Sequence, residues 1–209
     1  MAALLPKEQA MSISISIIGA GAIGTALARL LAAAEIDVSI ANSRSPDSLA
    51  PLIAQLGSKV RAVTAEEASR ADLVFLAVPW SKIPTAVKSL KPWGGRIVVD
   101  TNNPIEAPEF KPFDLGGKAS TQVIAEMLPD ARVVKAFNHL APHLLANPDA
   151  EGGKRVLFIS GEDTGAKRQV ANLIAKLGFF GIDLGSIENG RLAQFPGGPF
   201  PTLNLVKYD

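Results

Sequence analysis

Cysteine is absent from this chain of 209 residues. Disulfides, thiolate catalysis and sulfur-ligated metal sites are therefore excluded. Neither sign of charge is in marked excess, because 21 Lys and Arg residues stand against 20 Asp and Glu residues. This balance argues against nucleic acid or an anionic membrane as the main partner, so any anion site must be local.

Long hydrophobic runs are also lacking. An apolar stretch such as AIGTALARLLAAA is interrupted by Thr25 and Arg29, whereas a membrane span needs roughly 18 apolar residues in a row. The start of the chain, MAALLPKEQA, is too short and too polar for a signal peptide. We therefore expect a cytoplasmic protein with no membrane partner. Residues 1–10 are predicted to form a flexible arm, followed by one domain over residues 11–209.

Short apolar runs alternate with helical patterns along the chain, which is 47% hydrophobic. Runs such as LVFLAV, residues 73–78, are apolar at every position, which is typical of strands buried on both faces of a mainly parallel sheet. The predicted fold class is α/β, a Rossmann-type, doubly wound domain of three layers. The patterns predict strands at residues 12–18, 38–41, 59–63, 73–78, 97–100, 132–137, 156–160 and 180–184, and helices at residues 22–34, 83–90, 120–128 and 166–177.

Three shorter features are predicted between and after these elements. Thr64 and Glu67 have the spacing of a capping box and predict the start of a short helix. Residues 101–118 carry three prolines and predict a long surface loop. Residues 186–209 are predicted to form a C-terminal segment that completes the substrate side.

A glycine-rich turn, GAGAIG, follows the first predicted strand and opens the first helix. Its first glycine permits a tight turn, the second lets a pyrophosphate approach the backbone, and the third lets the helix pack closely. Free amide groups at the helix N-terminus attract the pyrophosphate, although a tight turn without a ligand is the alternative. The predicted cofactor-binding residues of this turn are Gly19, Ala20, Gly21, Ala22, Ile23 and Gly24.

Asn42, Ser43 and Arg44 follow the second predicted strand, where proteins that bind NAD carry an acidic residue. That acid bonds the ribose 2′-hydroxyl and repels a 2′-phosphate. A hydroxyl and a guanidinium in its place suit a phosphate dianion, so these three residues predict NADP(H) as the cofactor. The alternative is a solvated Arg44 with Ser45 capping the next helix.

Three further motifs complete a resemblance to a known family: VPW at residues 78–80, DTNNP at residues 100–104 and VVKAFN at residues 133–138. With GAGAIG and NSR, they make the chain resemble the NADP oxidoreductases that work with the deazaflavin coenzyme F420. The chain is also similar to the cytoplasmic reductase domain of the six-transmembrane ferric reductases. The resemblance covers nearly all of residues 12–209, and VVKAFN is its most specific part.

The resemblance implies a homodimer and a set of further cofactor contacts, with main-chain groups near the nicotinamide holding its carboxamide. Taken by their residue types alone, the aromatic members could instead belong to the core and the first two asparagines to a turn. The residues implied to bind the cofactor are Val78, Pro79, Trp80, Asn102, Asn103, Ala136, Phe137 and Asn138.

His139 stands where the deazaflavin enzymes tend to carry a small hydroxyl residue. It could donate a proton or a hydrogen bond to a reduced acceptor, which makes it the candidate catalytic and substrate-binding residue; a surface histidine at the start of a helix is the alternative. His143 follows four positions later, but Pro142 between them predicts a helix start that leaves His139 outside. No metal site is therefore predicted.

The C-terminal sequence FPGGPF, residues 195–200, cannot form a helix interior and predicts a tight loop. Phe195 or Phe200 could close over a flat ring, and Gly197 and Gly198 would let that ring approach, or the segment could be a plain turn. This tail differs from the tails that help to bind the deazaflavin in the family, so the acceptor stays open.

These features predict an NADPH-dependent oxidoreductase that transfers hydride between NADP(H) and a deazaflavin, flavin or related small acceptor. Hydride transfer needs close and aligned placement of two rings and no nucleophile or metal from the protein. The alternative function is a non-catalytic NADP-binding sensor or partner module. An imine or carbonyl reductase on the same fold is a third possibility.

Overall fold

The short apolar runs become the strands of one central sheet in this computed structural model, which describes residues 13–90 and 92–208. The predicted arm, residues 1–10, lies outside the described residues. The strands are β1 Ile15–Ile18, β2 Val38–Ala41, β3 Val60–Ala62, β4 Leu73–Leu76, β5 Ile97–Asp100, β6 Ile105–Glu106, β7 Lys111–Pro112, β8 Arg132–Lys135, β9 Asp149–Ala150, β10 Gly153–Gly161, β11 Phe180–Asp183 and β12 Val206–Tyr208.

Helices connect these strands and cover both faces of the sheet. They are α1 Ala22–Ala33, α2 Ala50–Leu56, α3 Ala65–Ala68, α4 Ile83–Val87, α5 Ser120–Met127, α6 Pro142–Leu145 and α7 Thr164–Lys176, with 3-10 turns at Pro46–Leu49, Trp80–Lys82 and Ile187–Ala193.

The strand order is β11-β10-β8-β5-β4-β1-β2-β3. The six strands from β3 to β8 in this order run parallel to one another. Beyond them β10 reverses direction against β8, and β11 runs parallel to β10. The prediction of a Rossmann-type, mainly parallel sheet is confirmed, and the C-terminal strands extend that sheet as expected.

Both faces of the parallel strands are buried, because successive residues alternate between two hydrophobic clusters. In β4, Leu73 and Phe75 join the cluster with α1, α6 and α7, whereas Val74 and Leu76 join the cluster with α3, α4 and α5. The continuous apolar sequence LVFL thus places the sheet between two helical layers, as predicted.

Several element bounds differ from the predicted ones. The strand predicted to end at residue 137 ends at Lys135, because Phe137 adopts a left-handed backbone with φ of 62°. The helix predicted to reach residue 90 ends at Val87. Within the predicted surface loop, β6 and β7 pair as an antiparallel hairpin.

The capping box before α3 forms as predicted. The Thr64 hydroxyl accepts a hydrogen bond from the Glu67 amide at 3.1 Å, and the Glu67 carboxylate accepts one from the Thr64 amide at 2.8 Å. The Thr64 hydroxyl also donates to the Glu67 carboxylate, and the amide and hydroxyl donors of Thr64 together lower the pKa of Glu67. The backbone amides of both residues are therefore satisfied by side chains three positions away.

Among the helices that the structure describes, none has both the length and the apolar character that a membrane crossing requires.

Candidate functional site

The last residues of five neighbouring parallel strands lie side by side at one edge of the sheet. Ile18 of β1 is opposite Ala41 of β2 and Leu76 of β4. Asp100 of β5 is opposite Leu76 on one side and Lys135 of β8 on the other. The chain therefore leaves the sheet at the same level five times, at the edge where open α/β sheets bind ligands.

Every predicted cofactor motif follows one of these strand ends. Residues 19–24 follow β1, residues 42–44 follow β2, residues 78–80 follow β4, residues 102–103 follow β5 and residues 136–138 follow β8. The fold thus brings together along one edge the five motifs that the sequence separates. Their contact with a cofactor stays a prediction.

The three glycines of the first turn meet different constraints. Gly19 has φ of 115°, and a Cβ added there would lie 2.0 Å from the Ala77 carbonyl oxygen. A Cβ on Gly24 would lie 1.9 Å from the Gly19 carbonyl oxygen, so α1 can approach the turn only through a glycine. Gly21, the residue before α1, has nothing within 4 Å of an added Cβ. The open backbone at Gly21 and the amide groups of α1 fit the pyrophosphate of a dinucleotide.

The segment after β2 is shaped by the side chain of Asn42. Its Oδ1 accepts a hydrogen bond from the Arg44 amide at 2.8 Å, and its Nδ2 donates to the Ser48 hydroxyl at 2.9 Å. The side chains of Ser43 and Arg44 are exposed, and no ion pair to Arg44 occurs within the described part of the chain. Asn42 therefore organises the turn and leaves the hydroxyl and guanidinium open to an anion. The side chain of Ser45, the alternative cap, makes no capping hydrogen bond.

A buried charge pair lies beneath the ends of β5 and β8. Lys135 Nζ donates to Asp100 Oδ2 at 3.0 Å and to the Ser120 hydroxyl at 3.1 Å, and it also donates to the Asn102 carbonyl. The Thr121 hydroxyl donates to Asp100 Oδ2 at 3.0 Å. Burial lowers the pKa of Lys135, while the neighbouring Asp100 carboxylate opposes that shift.

The two asparagines that follow these strands join them to the C-terminal segment. Asn103 Nδ2 donates to the Asn138 carbonyl at 2.8 Å, and Asn138 Nδ2 donates to Asn103 Oδ1 at 3.0 Å and to the Ala193 carbonyl at 2.6 Å. Asn103 Oδ1 also accepts the Phe195 amide at 3.0 Å. The predicted nicotinamide end is therefore held by hydrogen bonds between distant segments.

The two aromatic candidates have their rings in the core. Trp80 is 8% exposed and lies near Phe113, with ring centroids 6.4 Å apart. Phe137 is fully buried and meets Phe75 edge-to-face at 5.3 Å. The core alternative applies to both rings, so only their main-chain groups remain available for the predicted cofactor contacts.

His139 is buried, and the alternative of a surface histidine is wrong. It is 3% exposed, with its ring 5.0 Å from that of Phe158. Burial lowers the pKa of His139 to about 4, and the backbone of Val156 lies near enough to offset this in part. Neither ring nitrogen forms a hydrogen bond of normal geometry with any described residue, and neither reaches solvent. A proton donor must reach its substrate, so this placement gives the predicted catalytic role no support.

Pro142 begins α6 as predicted, so His143 is helical and His139 is not. In residues 13–90 and 92–208, no group of three side chains from His, Asp and Glu is arranged to hold a metal ion.

The C-terminal loop packs against the same end of the sheet. The ring of Phe200 stacks on Phe158 with centroids 4.4 Å apart, which speaks against the lid alternative for this ring. Gly197 has φ of 101°. A Cβ on Gly198 would lie 2.5 Å from two backbone oxygens, which gives this glycine a packing role. Phe195 stays a candidate for substrate contact, because its amide bonds to Asn103 beside the predicted nicotinamide end.

The residues that the prediction missed are the polar groups beneath this end. Asp100 and Lys135 belong to the motifs DTNNP and VVKAFN, yet nothing in either motif predicts that they pair. The available signal was that two apolar runs end in residues of opposite charge, IVVD in Asp100 and RVVK in Lys135. Ser120, Thr121 and Gln194 had no such signal, since their partners come from other elements.

The fold and the row of strand ends define the class of Rossmann-type dinucleotide-binding proteins. A family model described as NADP oxidoreductase, coenzyme F420-dependent, matches residues 14–104. A solved structure from Arthrobacter sp. FB24, provisionally assigned as an F420-dependent NADP reductase, is 30% identical with a TM-score of 0.71 and covers 84% of this chain and 86% of that chain. The chain belongs to the F420-dependent NADP oxidoreductase family.

Two other similar proteins extend the comparison. A hypothetical protein from Sinorhizobium meliloti is 49% identical, with a TM-score of 0.89 over 94% of this chain and 96% of that chain. The metalloreductase STEAP3 of Rattus norvegicus is 28% identical over 208 residues, which is 95% of this chain. The chain spans 40% of the length of that metalloreductase. The family model and the Arthrobacter protein are both described as NADP-dependent, which supports an NADP-dependent oxidoreductase.

Proposed function

We propose that this chain is an NADPH-dependent reductase that transfers hydride between NADP(H) and a deazaflavin, flavin or related small acceptor. The cofactor choice rests on one observation: the segment after β2 exposes Ser43 and Arg44 where an acid would select NAD. The planar guanidinium can donate two parallel hydrogen bonds to a phosphate, and the hydroxyl adds a further donor.

The glycine turn would hold the pyrophosphate between the two halves of the cofactor. The open backbone at Gly21 allows close approach, and the dipole and free amides of α1 supply positive potential. Ile18 of β1 lies opposite Ala41 of β2, so the glycine turn and the segment that carries Arg44 leave neighbouring strands at the same level. This arrangement supports contact of one short edge with both the pyrophosphate and the 2′-phosphate.

The ends of β5 and β8 would receive the nicotinamide half. The bound dinucleotide supplies the hydride. The chain's task is to fix the ring against the acceptor, which main-chain groups of residues 136–138 and the Asn103–Asn138 amide pair would do. A side chain acting as acid or base is not required for that task.

The acceptor class is supported by the relatives' descriptions. The Arthrobacter protein is provisionally assigned as F420-dependent, and the rat protein is a metalloreductase. A flat conjugated ring, as in a deazaflavin or flavin, accepts hydride directly from a nicotinamide, whereas a ferric ion takes single electrons. We therefore place the ring first and the ferric ion only behind it.

The test is anaerobic loss of NADPH absorbance by the purified protein with coenzyme F420, FMN, a quinone, a ferric chelate and a cyclic imine as acceptors. We expect turnover of NADPH with F420 or FMN as the acceptor, and slower turnover when NADH replaces NADPH. Reduction of the ferric chelate is expected only when FMN is also present. Equal rates with NADH and NADPH would contradict the cofactor choice. Tight NADPH binding without turnover of any acceptor would contradict the enzyme and favour the non-catalytic module.

A further inference from the structure

Lys135 is the largest charged side chain in the buried interior beneath the predicted nicotinamide end, with 1% exposure. An ammonium carries three protons, and those of Lys135 are directed at Asp100, Ser120 and the Asn102 carbonyl. Its donors are therefore fully used within the chain. Lys135 cannot be a group that contacts a substrate.

Asp100 completes the other half of the arrangement. Its Oδ1 accepts hydrogen bonds from the Asn102 amide at 2.9 Å and from Asn102 Nδ2 at 3.0 Å. Its Oδ2 accepts from Lys135 and Thr121. The N–H of Asn102 is thus held by the carboxylate and its C=O by the ammonium, so the two peptide planes that flank this residue are fixed by opposite buried charges.

The second of those peptide planes leads directly into Asn103. The Asn103 side chain joins Asn138 after β8 and the Phe195 amide in the C-terminal segment. A rotation of the peptide between Asn102 and Asn103 would therefore move the amide pair at the nicotinamide end. The ammonium of Lys135 controls that rotation without touching the cofactor.

A role in fold stability alone explains this pair poorly. The neighbouring strand ends in the same row are apolar, namely Ala41, Ile18 and Leu76. Buried ion pairs are often no more stabilising than apolar residues of similar volume, because both charges lose their hydration. The charge pair lies where β5 and β8 end at the predicted nicotinamide site, and the ends of β1, β2 and β4 carry no such pair.

We propose that Lys135 is a positioning residue for hydride transfer, which fixes the Asn102–Asn103 peptide, through Asp100 and the Asn102 carbonyl, at the edge that receives the nicotinamide. The inference rests on the proposed function. It predicts that Lys135 affects the placement of the nicotinamide and leaves the adenosine half of the site, at β1 and β2, as it is.

The test removes both charges together, since a lone buried Asp100 would threaten folding. In the variant Lys135→Met with Asp100→Asn, kcat for NADPH oxidation should fall about 10- to 100-fold, as expected for a small misplacement of reacting groups. The Kd for 2′,5′-ADP, which carries only the adenosine half, should change less than about threefold, within the usual spread of surface effects.

A matched control is available in α7. Lys167 pairs with Asp183 at 3.0 Å and donates to the Gly185 carbonyl at 3.0 Å, so it has the same types of partner away from the site. The variant Lys167→Met with Asp183→Asn should keep kcat within about twofold. Wild-type kcat in the folded Lys135 variant, or equal losses of 2′,5′-ADP and NADPH binding, would overturn the inference.

Failure of the proposed function has a separate signature. If the wild-type protein fails to oxidise NADPH with any of the tested acceptors, the change in nicotinamide fluorescence on NADPH binding replaces kcat as the measurement. That change should be lost in the Lys135 variant while 2′,5′-ADP affinity is kept, and its retention would overturn the inference. Should the double variant not fold, Ser120→Ala removes one partner of Lys135. A wild-type kcat, or a wild-type fluorescence response to NADPH, in this variant would count against the positioning role of Lys135.

Discussion

The predicted cofactor edge of the sheet runs from β2 to β8, and its two extremes are held by different kinds of contact. At the end of β2, Ser43 and Arg44 are exposed, and the bonds that shape their turn join residues two and six positions apart. At the ends of β5 and β8, Asn103 bonds to Asn138, 35 positions on, and to Phe195, 92 positions on. The first end can change with one substitution in a loop, whereas the second depends on the packing of the whole domain.

This contrast separates affinity from geometry. An exposed charge at a loop tip can select a cofactor and adjust how tightly it binds. A buried, multiply bonded segment can hold a ring to within a fraction of an ångström, which hydride transfer requires. We therefore expect substitutions at the first end to change Kd and substitutions at the second to change kcat or stability.

The largest effect should come from Gly24→Ala, at the turn that both ends share. The new Cβ would lie 1.9 Å from the Gly19 carbonyl oxygen, and backbone atoms there cannot move aside. We expect the free energy of unfolding to fall by about 3 kcal/mol or more, measured by urea denaturation. A loss below about 1 kcal/mol would mean that α1 can shift away from the turn.

Gly21→Ala is the matched control, because nothing lies within 4 Å of its added Cβ and its φ is −80°. Its stability should stay within about 0.5 kcal/mol of wild type. The methyl group would stand where a pyrophosphate approaches, so the Kd for NADPH should rise about tenfold, which corresponds to about 1.4 kcal/mol. Unchanged NADPH binding would contradict the assigned position of the pyrophosphate.

The second effect concerns the buried end. Because the pKa of His139 in the folded chain is about 4, below its usual value of 6.5, the unfolded chain binds the extra proton first as the pH falls. The stability contributed by neutral His139 is complete above pH 6.5 and is lost progressively towards pH 4. By pH 4.5 the loss should reach about 2 kcal/mol.

His139→Phe keeps a ring against Phe158 and removes the titrating group. Urea midpoints at pH 7 and pH 4.5 should therefore differ less in this variant than in wild type, by about 2 kcal/mol of unfolding free energy. The exposed His143 serves as the control, and His143→Gln should keep the wild-type difference. An identical pH dependence in wild type and His139→Phe would contradict the burial argument.

The third effect returns to the exposed end. Arg44→Ala should weaken NADPH binding about 10- to 100-fold, because a charge-assisted hydrogen bond contributes about 1.5 to 3 kcal/mol. NADH lacks the 2′-phosphate, so its Kd should stay nearly constant. Equal weakening of both cofactors, or of neither, measured by fluorescence titration, would show that Arg44 does not grip the phosphate.

The sequence predicted most of what local signals encode. Continuous apolar runs such as LVFL report burial on both faces whatever their neighbours are, so the parallel sheet and its layers were predictable. The glycine turn and the NSR segment are likewise defined within a few residues. The residues of the exposed end could therefore be named from the sequence, and their contact with a cofactor stays a prediction.

The buried end was not predictable in the same way. The pairing of Asp100 with Lys135 spans 35 positions and depends on the strand order, which no local pattern specifies. The burial of His139 and the stacking of Phe200 depend on how the C-terminal segment packs against β10. Residue type alone left a catalytic or a surface His139, and an aromatic lid or a plain turn, as open alternatives, because packing between distant segments produces no periodic pattern in the sequence.

The smallest expected effect measures how much a single hydrogen bond in the turn after β2 contributes to NADPH binding. Ser48→Ala removes the hydroxyl that accepts a hydrogen bond from Asn42 Nδ2, and Asn42 in turn fixes the Arg44 amide. One partly exposed hydrogen bond contributes about 0.5 to 1 kcal/mol, so the Kd for NADPH should rise about two- to fivefold with NADH unaffected. If Ser48→Ala instead matched the loss in Arg44→Ala, the turn would be as interdependent as the buried end, and the contrast between a local end and a packed end would fail.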